Sequence, residues 1–238
     1  GSTGAVIWTD VFNGAGTGDD FTRSLAVDAS GNVYVTGVSV TASGNEDFYT
    51  IKYNGATGAR TWERSYNGAA NGVDEAISVK VDPVNGQAVV SGTALTSSGN
   101  NDFHVIRYDT DGNVLWQRTL DRPSSDDFVA AAAMDRSGNI HIAGYTYGGS
   151  NTDVLSVWYN VEGTFSGGMT YNGAANGNDE AASITVNNMG EAFIGGHTTN
   201  ASGNSDYIVL KVSGYQLQPP VPLNAAPSYT IVDLTWSD

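Results

Sequence analysis

The sequence contains no cysteine, which excludes disulfide bridges and thiolate metal centres and leaves the redox compartment unmarked. Cationic residues are scarce. Ten Lys and Arg stand against 25 Asp and Glu, a formal net charge of −15. A surface of that sign repels phosphate, which argues against nucleic acid and anionic membranes as partners. No apolar run approaches the roughly 20 residues that a membrane-spanning helix needs. The opening Gly-Ser-Thr-Gly reads as a processed or engineered terminus and not as a secretory signal. Histidine is limited to His104, His141 and His197, which fall at unrelated repeat positions and define no common ligand set. No serine stands in a G-x-S-x-G turn, and no glycine loop suited to phosphate follows a strand.

What the chain does have is glycine, 30 residues of it, and a 40% hydrophobic share. That composition suits many short strands and tight turns around a core, not a disordered chain. It also repeats. DFTRSLAVDASGNVYVTG (20–37) returns as DEAISVKVDPVNGQAVVSG (74–92), DFVAAAAMDRSGNIHIAG (127–144) and DEAASITVNNMGEAFIGG (179–196). Asp20, Asp74, Asp127 and Asp179 lie 54, 53 and 52 positions apart. Each copy is followed by a polar loop and a second apolar run, 43–53, 98–108, 148–159 and 202–212. A period near fifty residues with four short strands per unit is the mark of propeller blades.

Strands are labelled A to D from the channel outward. Strand A is expected at 24–28, 77–82, 130–135 and 182–187, and strand B at 33–37, 88–92, 140–144 and 192–196. Strand C is expected at 48–53, 103–108, 154–159 and 207–212. Strand D falls at 60–66, 114–120 and 165–171, and the fourth D strand is missing after Val212. Residues 6–12 match it, because Trp8, Trp62 and Trp116 are 54 and 54 apart. The expected fold is therefore an all-β propeller of four four-stranded blades, closed when the N-terminal strand pairs with the last blade. The alternative is half of a larger ring, completed by a second copy or by further sequence.

The pattern D-x-A-x-x-V-x-V-D-x-x-G-N-V-Y-V-T-G, then D-F-x-x-x-K-Y and a Trp, resembles the bacterial SBBP-type β-propeller repeat over residues 5 to about 213. The third copy departs from it: Gly167 replaces the D-strand Trp, and Arg122-Pro123 interrupts the turn. The resemblance implies a large secreted or surface-attached bacterial protein, often with immunoglobulin-like or fibronectin type III neighbours. Residues 214–222 are a Pro-rich, stiff linker. Residues 223–238 resemble the first strands of a fibronectin type III-like module. Val232, Leu234 and Trp236 alternate on one face, with Tyr229 and Ile231 on the other. Two such strands cannot fold alone, so the tail is expected to continue, to lie on the propeller or to donate a strand to a neighbour.

Strands A and C run the same way, so the carboxylates at their starts share one face of the disc, together with the longer Ser/Thr/Asn loops. A repeated Asp at a strand start ordinarily accepts hydrogen bonds from the amides of its own turn. The sharper expectation is that Asp20, Asp74, Asp127 and Asp179 converge on one Ca²⁺ at the channel mouth. Tyr145 and Tyr147, read as loop residues without aromatic counterparts in the other copies, join His197 as candidates for stacking on a glycan. Trp8, Trp62, Trp116, Tyr53, Tyr108 and Tyr159 recur in register and read as packing between blades. The resulting expectation is a non-catalytic extracellular or cell-surface interaction module that self-associates or binds a protein through its C-terminal tail. A glycan-binding propeller is the alternative, and a hydrolase ranks behind both.

Overall fold

The computed structural model describes residues 4–122 and 124–212. The linker and the tail residues Tyr229, Ile231, Val232, Leu234 and Trp236 lie outside them. Among the described residues there are fifteen strands and no helix.

The first sheet holds β1 (Phe21–Val27), β2 (Val33–Val40), β3 (Glu46–Tyr53) and β4 (Arg60–Tyr66). The second holds β5 (Asp74–Val81), β6 (Ala88–Leu95), β7 (Asn101–Tyr108) and β8 (Val114–Leu120). β9 (Asp126–Met134), β10 (Ile140–Tyr147), β11 (Thr152–Tyr159) and β12 (Phe165–Tyr171) form the third. β13 (Asp179–Val186), β14 (Ala192–Thr199) and β15 (Ser205–Val212) form a sheet of three. Every sheet is an antiparallel meander of consecutive strands, and we refer to the four as blades 1 to 4.

The B strands run past the glycines expected to end them. Gly37, Gly92, Gly144 and Gly196 sit inside β2, β6, β10 and β14, each facing a bulge where strand A carries one extra residue: Arg23, Ile77, Ala130 and Ala182. The bulge pushes an A-strand carbonyl inward. A Cβ at Gly144 would lie 1.9 Å from the carbonyl oxygen of Phe128, and one at Gly92 would lie 2.0 Å from that of Glu75. The repeated glycine therefore marks close backbone approach, not a strand end.

Three apolar clusters join the blades in series. Tyr34, Phe48 and Trp62 of blade 1 pack on Val79, Val90 and Ile106 of blade 2. Phe103, Val105 and Trp116 of blade 2 meet Val129, Ala132 and Ile142 of blade 3. Ala143 and Val154 of blade 3 meet Ala181 and Ile194 of blade 4. The B strands of the two inner blades, β6 and β10, are thus buried on both faces, as stacked sheets require, while β2 and β14 are covered on one.

The chain start differs from expectation. Residues 6–12 belong to no sheet, and among the described residues β15 pairs only with β14. The segment is nevertheless docked on blade 1. Trp8 stacks on Tyr53 with ring centroids 5.8 Å apart, and its Nε1 donates to the carbonyl oxygen of Gly55 at 2.9 Å. Asp10 accepts from Arg60 Nε at 2.7 Å and from the Tyr53 hydroxyl at 2.9 Å. The D-strand tryptophans do the same one blade further on. Trp62 Nε1 donates to Thr110 O at 3.1 Å, and Trp116 Nε1 donates to Val161 O at 2.9 Å. Residues 6–12 thus occupy the place of the D strand of a blade preceding blade 1.

Candidate functional site: the acidic rim between blades

The four repeated aspartates do not share a ligand sphere. Asp20, Asp74 and Asp179 each accept from the amide six residues upstream, at Gly14, Gly68 and Gly173. Asp74 also takes the amide of Leu95 at 2.8 Å, and Asp179 takes the hydroxyl of Thr198. They anchor the turns Asn13–Gly18, Asn67–Gly72 and Asn172–Gly177, in which Asn71 and Asn176 adopt positive φ. This is the turn role weighed from sequence. Among the described residues, no group of three or more His, Asp or Glu stands where it could hold a metal ion.

Asp127 is the exception. Its turn carries Asp121 where the others have glycine, and neither carboxylate oxygen of the wholly buried side chain has a hydrogen-bond partner. Burial pushes its pKa up, while Thr146 and Arg122 draw it down and Asp126 adds to the rise.

The carboxylates pair across the joints instead. Asp47 of blade 1 is pushed up to about 6 by burial and then by the charge of Asp74 of blade 2. Asp102 of blade 2 is likewise pushed up to about 6 by burial, with Asp127 of blade 3 contributing. Asp153 of blade 3 is raised by burial and by Asp179 of blade 4. At each joint, then, a strand-C acid lies within electrostatic reach of the strand-A acid of the next blade. The period of the repeat contains this pairing, because Asp47, Asp102 and Asp153 recur in step with Asp74, Asp127 and Asp179. It becomes visible only once consecutive blades are placed face to face.

Tyr145, Tyr147 and His197 lie on strands, the first two on β10 and the third on β14, because those strands continue through Gly144 and Gly196. Tyr145 stacks on Phe128 at 5.2 Å and is raised by burial and then by the charge of Glu180. His197 Nε2 stands 4.0 Å from Glu180 Oε2 within blade 4, and His197 pairs in the ladder with Tyr207, so it lies on the open outer face of that blade, away from Tyr145. Glu180 Oε1 accepts from the Thr152 hydroxyl at 2.9 Å. Tyr147 stands apart. It is exposed, donates to Gly149 O at 3.2 Å, and borders an open groove with Ser98, Asn100, Ser125 and Asp126. His104 and His141 are buried, His104 bonded through Nδ1 to the Thr119 hydroxyl at 2.8 Å and His141 lying 3.9 Å from Asp135.

One buried polar group escaped the sequence reading. Arg107 of β7 is wholly buried and pairs with Asp82, donating also to Gln87 Oε1 at 2.7 Å and to Gly138 O of blade 3 at 2.8 Å. Lys52 holds its repeat position in blade 1, where its Nζ donates to Thr110 O of blade 2 at 2.9 Å. The recurrence of a cation at this strand-C position was the available signal.

The fold is all-β and propeller-like, a series of antiparallel sheets stacked through apolar joints. Residues 8–39 match the SBBP beta-propeller repeat family, a unit running from Trp8 through β1 and nearly all of β2. No curated protein sequence matches the chain. Among solved structures it is similar to a protein of unknown function from Dyadobacter fermentans, with 11% identity and a TM-score of 0.53 over 81% of this chain and 61% of that one. The chain therefore spans about three fifths of that protein's length. A GH43 endo-arabinanase from Bacillus licheniformis aligns at 15% identity and TM-score 0.41, covering 87% of this chain and 77% of its own. An exo-beta-1,3-galactanase from Clostridium thermocellum aligns at 13% and 0.42, over 79% and 45% of the two chains.

Proposed function

We propose that the chain is a non-catalytic interaction module of a bacterial surface or secreted protein, acting through the two unfinished ends of its series of blades. The observation that carries this reading is the state of those ends. Among the described residues blade 4 has no D strand, and the outer faces of β15 and β1 expose large apolar side chains, among them Tyr207, Val209, Leu25 and Val27. Faces of this kind mark contact surfaces on a soluble protein. In this reading a D-strand segment of the type of residues 6–12 completes the fourth blade and closes the ring, and the C-terminal tail contributes further contacts. A Ca²⁺ on the rim is not part of it, since among the described residues no three acids or histidines stand together as ligands.

The buried, pairwise acids also argue against glycosidase chemistry, which needs two carboxyl groups flanking one open cleft. The test is turnover on arabinan, β-1,3-galactan and aryl glycosides. No hydrolysis above buffer is expected. Turnover abolished by changing a single carboxylate would overturn the reading.

A glycan-binding role is the second reading, supported by the groove at Tyr147. Its polar walls and one exposed ring are what sugar stacking uses. Glycan-array signals lost in Tyr147→Ala and retained in Tyr145→Phe would favour it.

A further inference from the structure

The repeat register identifies what would cover each open end. Tyr207 of β15 is 99% exposed, whereas its equivalents Phe48, Phe103 and Val154 are 1%, 0% and 0% exposed because the following blade covers them. At the other end Leu25 of β1 is 63% exposed, while Val79 and Ala132 in the same position are 0% and 5% exposed against the preceding blade. The outer face of blade 4 is therefore the kind of face that receives a strand A, and β1 is the kind of strand A it receives. Among the described residues the edge of β15 likewise has no D strand. Residues 6–12, the described segment of D-strand type outside the sheets, are already seated on blade 1 through Trp8 and Asp10.

We infer that blade 4 docks on blade 1 of a second copy of this chain, with β15 pairing to residues 6–12 of that copy. The inference rests on the interaction reading above and names the partner. Because the segment stays on its own blade 1, no rearrangement of the docked start is needed. The arriving β15 finds a D strand already in place. The register follows from the other blades, where Phe48 pairs with Tyr66, Tyr49 with Ser65 and Lys52 with Trp62. Transposed, Tyr207 faces Phe12, Ile208 faces Val11 and Lys211 faces Trp8. The joint would also set Asp206 beside Asp20, repeating the strand-C and strand-A acid pair of every internal joint.

Absence of native cysteine makes the test clean. Val11→Cys and Ile208→Cys are made separately in the full chain, mixed and treated with mild oxidant or a short thiol–thiol cross-linker. Both positions avoid the Trp8 and Asp10 contacts. The expected result is a covalent pair between the two variants, with mass spectrometry finding a peptide that joins positions 11 and 208, and little product from either variant alone. The double variant should give closed pairs or longer ladders, and both support the joint. A double variant that cross-links within one chain at monomer mass would overturn it, as would a mixture in which these two positions stay unlinked at high protein concentration. A companion variant, Tyr207→Lys with Val209→Glu, should remove concentration-dependent mass in sedimentation while keeping the thermal transition of the blades. Retained association in that variant would also count against the joint. A monomer without turnover defeats the second copy alone, whereas turnover lost with one carboxylate defeats the non-catalytic reading alone.

Discussion

Asp102 of blade 2 and Asp127 of blade 3 are both wholly buried on either side of one joint, and burial, then the charges of Asp121 and Asp127, raise the Asp102 pKa. The same relation links Asp47 to Asp74 one joint earlier. A carboxyl whose folded-state pKa lies above its unfolded value stabilises the fold most while protonated. For Asp47 and Asp102 that contribution is full below the ordinary 3.8 and is lost as pH rises through about 6. The thermal midpoint should therefore climb as pH is lowered from 7 to 5. It should fall again below about 4, where carboxylates held low, such as Asp10 beside the Arg60 guanidinium, become protonated. Asp47→Asn, which supplies an amide donor toward Asp74, should raise stability at pH 7 by up to about 3 kcal/mol and leave it unchanged at pH 4. Denaturant titrations at the two pH values measure this, and an equal effect at both would contradict it.

Asp74 and Asp127 hold the same repeat position but different partners, so their alanine variants should differ. Asp74→Ala strands the buried amides of Gly68 and Leu95, at roughly 1–3 kcal/mol for each orphaned group. Asp127→Ala strands no donor that its carboxylate now satisfies, and it removes a buried charge. The first should lower the urea midpoint at pH 7 well below wild type, and the second should leave it near or above. Equal losses would mean that Asp127 is held by contacts other than those seen here.

How much of this was legible follows from which physical quantity each residue reports. The Asp and Trp spacings carry the repeat period, and the apolar alternation carries the two-sided burial of β6 and β10, so the succession of four sheets and the strand order within each were readable. Gly37, Gly92, Gly144 and Gly196 misled, since a glycine that ends a strand and one that faces a bulge look alike until the opposing carbonyl is placed. Tyr145 and His197 were moved from loops to strands by that one correction. Trp8 was readable as a D-strand residue. Its side-chain pattern specifies which face it covers, blade 1, and says nothing about which edge its backbone meets. The acid pairs stayed hidden for a similar reason, because each joins residues of different repeats.

The bulge reading of those glycines is itself testable. Gly144→Ala would place a methyl 1.9 Å from the Phe128 carbonyl oxygen, backbone that cannot swing away as a side chain could. Overpacking of that order costs about 1–3 kcal/mol or more. Gly195→Ala, one residue before the bulge glycine of blade 4, meets only the Ser183 hydroxyl at 3.1 Å and should be milder. Comparable losses in both, read from denaturation midpoints, would show that glycine is kept here for some reason other than the bulge.

Arg107 makes the sharpest prediction about stability. Its guanidinium binds Asp82, Gln87 and the Gly138 carbonyl at once, tying β7 to the A–B turns of blades 2 and 3 with no access to water. Arg107→Met leaves the Asp82 carboxylate buried without its cation, a loss on the order of 3–5 kcal/mol. Arg107→Lys should recover only part of this, since a single ammonium cannot reach three acceptors held in the plane of a guanidinium fork. Adding Asp82→Asn to Arg107→Met removes the stranded charge while Oδ1 can still accept from Val84 N, now at 2.9 Å. The double variant should therefore be more stable than Arg107→Met alone. If the two substitutions were additive in a double-mutant cycle, the ion pair would not be what holds this part of the joint together.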